Sequence, residues 1–218
     1  MQEIEILPGL IIKAEILDEG ENKAEEYFNF DKYETTWHDP RKNEYHITPL
    51  LNCLKISVAD FNEGFKTSIE TKGTFLMGHI LHAEIGATMV ERDGFYILEF
   101  PFKITIELDN GEEIYIVGKV DLLNNEKRSI GEIKSTIHIY LPKEAKDLKL
   151  EYYIQVITYV FVLNHSYYIK EPIKDVYLII VSKKNCYTKV IKIDYTEEIG
   201  QKCYEYIINR AVKYHCHI

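Results

Sequence analysis

The sequence predicts a mixed α/β (α+β) fold in which a central mixed β-sheet is flanked by helices. Three observations carry that reading. Two β-rich runs, Tyr96 to Leu108 and Glu113 to Leu123, are separated by Asp109-Asn110-Gly111, a strong hairpin signal. A strongly apolar run at 175–182 and a second at 188–194 read as further strands. Between and after them, 143–164 and 196–214 have the length and periodicity of helices, giving the order strand-strand-strand-helix-strand-strand-helix.

Taken in chain order, residues 2–16 form two strand-like pieces broken by Pro8-Gly9, and 18–45 are polar, acidic and aromatic without a clear period. Residues 1–46 are therefore expected to be an N-terminal extension with short strands, and 47–218 the main domain. Thr48-Pro49 opens a predicted helix over 48–64, because proline fits a first helical turn. A second helix is predicted over 74–91, where Phe75, Leu76, Ile80, Leu81, Ile85 and Met89 make an apolar stripe. After the hairpin, the polar turn 124–128 leads to a third strand at about 129–135.

With 46% hydrophobic residues in 218, one substantial core is expected. No apolar run approaches the roughly 20 residues of a membrane helix, and MQEIEILPGL lacks the features of a signal peptide. The expectation is a soluble intracellular, cytoplasmic protein. Abundant Lys, Glu, Ile and Tyr with only Gln2, Gln155 and Gln201 as glutamines leans towards a thermophile.

A net charge of −9 argues at first against a nucleic-acid partner. Its distribution changes that. Residues 1–118 hold 10 Lys/Arg against 23 Asp/Glu, but 119–192 hold 13 against 8. The basic stretch is either a solvated face or a polyanion site, and it contains the chemistry described next.

Glu132 and Lys134 stand two apart on a predicted strand, so their side chains share a face beside the main-chain carbonyl of Ile133. Asp121 lies at the end of the preceding strand. Two carboxylates and a carbonyl suit a hard cation such as magnesium, which phosphodiester hydrolysis uses to neutralise the scissile oxygens. Lys134 would orient the attacking water or stabilise developing negative charge. An E-x-K triplet alone commonly marks an exposed strand face, but here two glycine-led strands, 117–121 and 130–135, each deliver acid groups.

These segments resemble the RecB-like branch of the PD-(D/E)XK nucleases, which includes the CRISPR-associated single-strand exonucleases and, more distantly, lambda exonuclease. The resemblance covers about residues 47–182 and implies a restriction-endonuclease-like core. Four motifs appear in the family's order: Gly78-His79-Ile80-Leu81-His82, Gly118 to Asp121, Gly131-Glu132-Ile133-Lys134, and Gln155-Val156-Ile157-Thr158-Tyr159. The resemblance implies Asp121, Glu132, Lys134, Gln155 and Tyr159 as catalytic residues. It implies His82, Asp121, Glu132 and the Ile133 carbonyl as ligands of Mg2+ or Mn2+. Gln155 and Tyr159, four apart, share a helix face. His79 is read as structural, and Glu84 as facing solvent, with an additional acid of the site as the alternative.

Cys53, Cys186, Cys203 and Cys216 carry no C-x-x-C pair. The CRISPR-associated members hold an iron-sulfur cluster with one cysteine before the histidine motif and three grouped after the glutamine motif. Here the last three are 17 and 13 residues apart, so no cluster is expected, and buried thiols or a disulfide remain open.

The expected activity is metal-dependent hydrolysis of DNA, as an exonuclease or single-strand-preferring nuclease in recombination, repair, viral replication or CRISPR adaptation. A junction-resolvase-like endonuclease and a non-catalytic DNA-binding or assembly subunit are the alternatives. Lys143, Lys146 and Lys149, spaced by three at the start of the predicted 143–164 helix, are the candidate DNA contacts. A homo-oligomer is compatible with the sequence, and no membrane partner is expected.

Overall fold

The computed structural model describes residues 1–16, 43–51 and 69–217. Alternation of apolar and charged residues builds its first element. In strand β1 (Gln2–Leu7) Ile4 and Ile6 turn inward while Glu3 and Glu5 face out, and in β2 (Leu10–Ile16) Leu10, Ile12 and Ala14 turn inward. The reversal falls at Pro8-Gly9. Gly9 takes φ +74, a left-handed value that glycine adopts without a Cβ clash, and its N–H donates to Glu5 Oε1 at 2.6 Å. The hairpin does not stand apart, because Lys13–Ile16 pair with the last sheet strand and its apolar side chains join the main core.

Next come β3 (Glu44–His46), the short helix α1 (Ile47–Leu51), the long helix α2 (Ile69–Asp93), and the hairpin β4 (Tyr96–Glu107) and β5 (Glu113–Asn124). They are followed by β6 (Ser129–Thr136), helix α3 (Leu150–Asn164), β7 (Asp175–Ser182), β8 (Thr188–Asp194) and helix α4 (Glu197–His215). Thr196 caps α4 by accepting the Ile199 N–H, and Glu197 and Glu198 complement the positive end of the helix dipole. The part of the 48–64 helix beyond residue 51, most of the 18–45 segment and Cys53 lie outside the described residues.

All eight strands form one mixed sheet, in the order β1-β2-β8-β7-β6-β5-β3, with β4 on the other edge of β5. Pro101 within β4 is tolerated because β4 is an edge strand and needs no N–H on its open side. The pairs β3/β5 and β6/β7 are parallel and the rest antiparallel. The β6-α3-β7 unit is thus a parallel crossover with α3 on one sheet face, where α3 and α4 close the main core. On the opposite face Leu81 and Ile85 of α2 pack with Leu122, Ile133, Ile179 and Val181 in a smaller cluster. No helix among the described residues is long and apolar enough to cross a membrane.

Two helices differ in extent from the sequence expectation: the one expected over 74–91 runs from Ile69 to Asp93, and the other starts late. The helix predicted over 143–164 begins only at Leu150; before it, Ala145–Asp147 form a single 3-10 turn flanked by extended Glu144 and Leu148. The apolar residues Leu141, Ala145 and Leu148 have helical spacing, yet they are buried as separate anchors of a loop. That loop is held by the Ala145 N–H donating to Gln2 Oε1 and by the Tyr153 hydroxyl donating to the Ala145 carbonyl. Lys143, Lys146 and Lys149 therefore do not share a helix face. Lys149 is the N-cap of α3, and Lys146 pairs with Glu144.

Candidate active site

The site is a fork in the sheet. Strands β5 and β6 are paired only at Leu122–Asn124 with Ser129–Gly131, and β3 occupies the same edge of β5 only at Tyr115–Val117. Between them β5 leaves residues 118–121 without a strand partner on that edge, among the described residues. Beyond Gly131, β6 stays on β7 while β5 stays on β4. Asp121 stands where the two part, and its Oδ2 accepts the Ile133 N–H at 2.7 Å in place of a main-chain partner. A strand residue projects its N–H and C=O to the same edge, so the Ile133 carbonyl opens into the fork as well.

Elements from both faces meet there. From α2, His82 Nδ1 lies 3.5 Å from Asp121 Oδ2, within ion-pair reach but long for a hydrogen bond. From α3, Gln155 Nε2 donates to Glu132 Oε1 at 3.0 Å and lies 2.6 Å from the Tyr159 hydroxyl. From β6 itself, Lys134 Nζ donates to the same Oε1 at 2.9 Å. The two donors thus hold one oxygen of Glu132, while Oε2 is buried with no hydrogen-bond partner among the described residues. An orphaned carboxylate oxygen in a side chain only 3% exposed is costly unless something charged or polar reaches it.

Charge coupling follows from this packing. Burial, and then the nearby Asp121 carboxylate, push Glu132 up to about 7 despite Lys134 and His82. Burial acts the same way on Asp121, but His82, Lys134 and the Ile133 N–H outweigh it and hold that carboxyl below its usual range. Burial alone would lower the Lys134 ammonium, yet the Glu132 and Asp121 carboxylates raise it, so it stays charged. Burial chiefly raises Tyr159 far above an ordinary phenol, so it remains neutral.

The donor set fits a hard divalent cation. Among the described residues no three His, Cys, Asp or Glu side chains close around one point. Two carboxylates and a carbonyl are nevertheless what magnesium takes from a protein, since it keeps several waters.

Asp121, Glu132, Lys134, His82, Gln155 and Tyr159 are thus brought into one connected cluster, whereas Lys143, Lys146 and Lys149 are spread along the loop before α3. Two sequence readings need correction. Glu84 is buried, 3% exposed, rather than solvent-facing. His79 is exposed and so does not serve the core.

Some neighbours of the site have weaker signals in the sequence or none. Lys134 Nζ lies 5.6 Å from the centre of the Tyr152 ring, and Tyr152, three before Gln155 on the same helix face, can be found by helical spacing. Glu99, which the β4/β5 register sets across from Asp121, has φ +48 and pairs with Lys119 at 2.9 Å. Nothing in its sequence context signals that left-handed backbone. Gly118 is explained by space: a Cβ there would lie 2.4 Å from the Phe102 ring, which packs edge-on against Tyr159 at 5.0 Å.

Neither a protein-family model nor a curated protein matches the chain. Solved structures do. SSO0001 is similar over 79% of this chain and 78% of its own, with a TM-score of 0.55 at 17% identity. A candidate exonuclease from Eubacterium rectale is similar over 84% of this chain and 71% of its own, also at 17% identity, with a TM-score of 0.39. At such identity the likeness to SSO0001 is one of fold.

Proposed function

We propose that the chain is a divalent-metal-dependent DNA nuclease of the RecB-like PD-(D/E)XK type, acting on DNA ends or single strands. The observation that carries the reading is the asymmetric Glu132 carboxylate: Oε1 is fixed by Lys134 and Gln155, while Oε2 is buried and without a partner among the described residues, and the Asp121 carboxylate is close enough to raise the group. A buried carboxyl and a half-buried one at the mouth of an opened sheet are poorly explained by stability, and well explained by a cation between them.

Asp121, Glu132 Oε2 and the Ile133 carbonyl would hold the ion. When bound, it supplies positive charge at the scissile phosphodiester. Lys134, kept protonated by the carboxylates, orients the attacking water or stabilises the charge that develops on the phosphate. Gln155, backed by Tyr159, keeps Glu132 from rotating, and His82 orients Asp121 or adds a nitrogen ligand. The test is cleavage of end-labelled and circular DNA, single- and double-stranded, with magnesium and with manganese. The expected result is metal-dependent cleavage of linear single strands. Undiminished cleavage in excess chelator, or full activity in Asp121→Ala, overturns the reading.

A further inference from the structure

The carboxyl end of a parallel strand pair is where α/β sheets present ligands. Here it is the end of β6 and β7, two residues beyond Lys134. The chain leaving β6 exposes three large apolar side chains among four consecutive residues: Ile137 at 54%, Ile139 at 46% and Tyr140 at 88%. The loop that carries them is anchored. Leu141 is buried behind it, Asn185 Nδ2 donates to the Ile139 carbonyl at 3.3 Å, and Lys189 Nζ donates to the Pro142 carbonyl at 2.9 Å. An anchored backbone that turns an aromatic and two isoleucines to solvent calls for an explanation by binding.

The charge around it says what kind of ligand. Residues 137–149 contain three lysines against Glu144 and Asp147, and the β7–β8 turn at 183–187 contains two lysines and no acid. Lys183 stands between this loop and the fork. Its N–H donates to the Thr136 carbonyl, and its Nζ would lie 3.2 Å from a Cβ on Gly78, the helix position that also approaches Ser135. An exposed aromatic ring and aliphatic side chains set near lysines match an unstacked nucleobase strand better than they match a protein or a duplex, whose bases are already stacked.

We propose that the 137–140 loop is a base-stacking platform, with Tyr140 stacking on a base of the strand whose backbone passes Lys183 and Lys184 into the fork. The proposal rests on the nuclease reading of that fork.

Binding of a short labelled oligothymidylate, measured by anisotropy in chelator, separates it from catalysis. Tyr140→Ala should weaken binding about tenfold or more with an unchanged salt slope, while Tyr140→Phe should bind like the parent. An abasic oligonucleotide should bind parent and Tyr140→Ala equally. Lys183→Ala with Lys184→Ala should instead lower the salt slope by about 0.7 for each phosphate no longer neutralised. In a Tyr140→Trp variant, fluorescence should be quenched on binding. If the parent cleaves DNA but Tyr140→Ala binds oligothymidylate unchanged, the platform is refuted and the nuclease reading stands. If Tyr140→Ala alters only the oligomeric state, or only binding to anionic vesicles, the face serves another partner and the proposal falls. A parent that neither binds nor cleaves DNA removes both readings.

Discussion

The two helices that face β6 hold their halves of the site differently. α3 is buried along most of its length, and its Gln155, bonded to the core residue Tyr159, reaches Glu132. α2 packs on the other face through a much smaller cluster, and its His82 keeps 30% of its side chain exposed, with Asp121 at 17%. One half of the fork is therefore built like a core and the other like a cleft wall. Groups on the α3 side should couple stability to activity, and groups on the α2 side should affect activity alone.

The sharpest way to test that division starts with the acids shared by both halves. Asp121→Ala and Glu132→Ala should each reduce cleavage by about a thousandfold or more, roughly 4 kcal/mol of transition-state stabilisation, with the far-ultraviolet circular dichroism preserved. A variant retaining a tenth of parental activity would break the assignment.

A second test uses pH on metal-free protein. The Glu132 carboxyl is raised to about 7 in the fold, above its unfolded value near 4.5, so the fold favours its protonated form. That stabilisation is fully present below the unfolded pKa and is lost as pH rises through about 7. Unfolding free energy in chelator should fall by on the order of 2–3 kcal/mol between pH 4.5 and 8, and Glu132→Gln should flatten the slope. Asp121, lowered in the fold, acts in the opposite sense only below its own unfolded value. A parent as shallow as Glu132→Gln would show that the carboxyl is not strained by burial.

Single-side substitutions sharpen the contrast further. Gln155→Ala should lower activity about 10–100-fold and cost about 1–3 kcal/mol of stability in denaturant melts, since it strips a donor from a buried carboxylate. His82→Ala should lower activity by a similar factor while shifting stability by no more than about 0.5 kcal/mol. Equal destabilisation by both would erase the difference between the two faces. The smallest effect is expected from Lys143, Lys146 and Lys149: changed to Glu together, they should weaken DNA affinity modestly and lower the salt slope by at most about 0.7 per lysine.

Local signals make much of this architecture readable. Period-two alternation and turn residues place β5 to β8 and the spacing of Glu132 from Lys134 within a residue or so of their observed bounds, because side-chain direction in a strand is a local property. The start of α3 is not readable in this way, because Leu141, Ala145 and Leu148 imitate a helical stripe, while the observed loop is held in part by a tertiary bond to Gln2 that lies outside any local window. Likewise, the fork depends on where β5 leaves β6, which sequence spacing does not encode. The acids are legible as an unusual pair, but the orphaned Oε2, the left-handed Glu99 and the approach of Lys183 to Gly78 are products of packing.

The union of β2 with β8 has a consequence for how the chain is made. Lys13 pairs with Asp194, so the β1–β2 hairpin must wait until β8 has been synthesised before it can dock. Closing so large a loop is slow, and until it closes β8 presents an open edge carrying Ile191 and Ile193. Refolding should therefore end with attachment of the first 16 residues. During that interval the nascent protein is most exposed to strand exchange between neighbours.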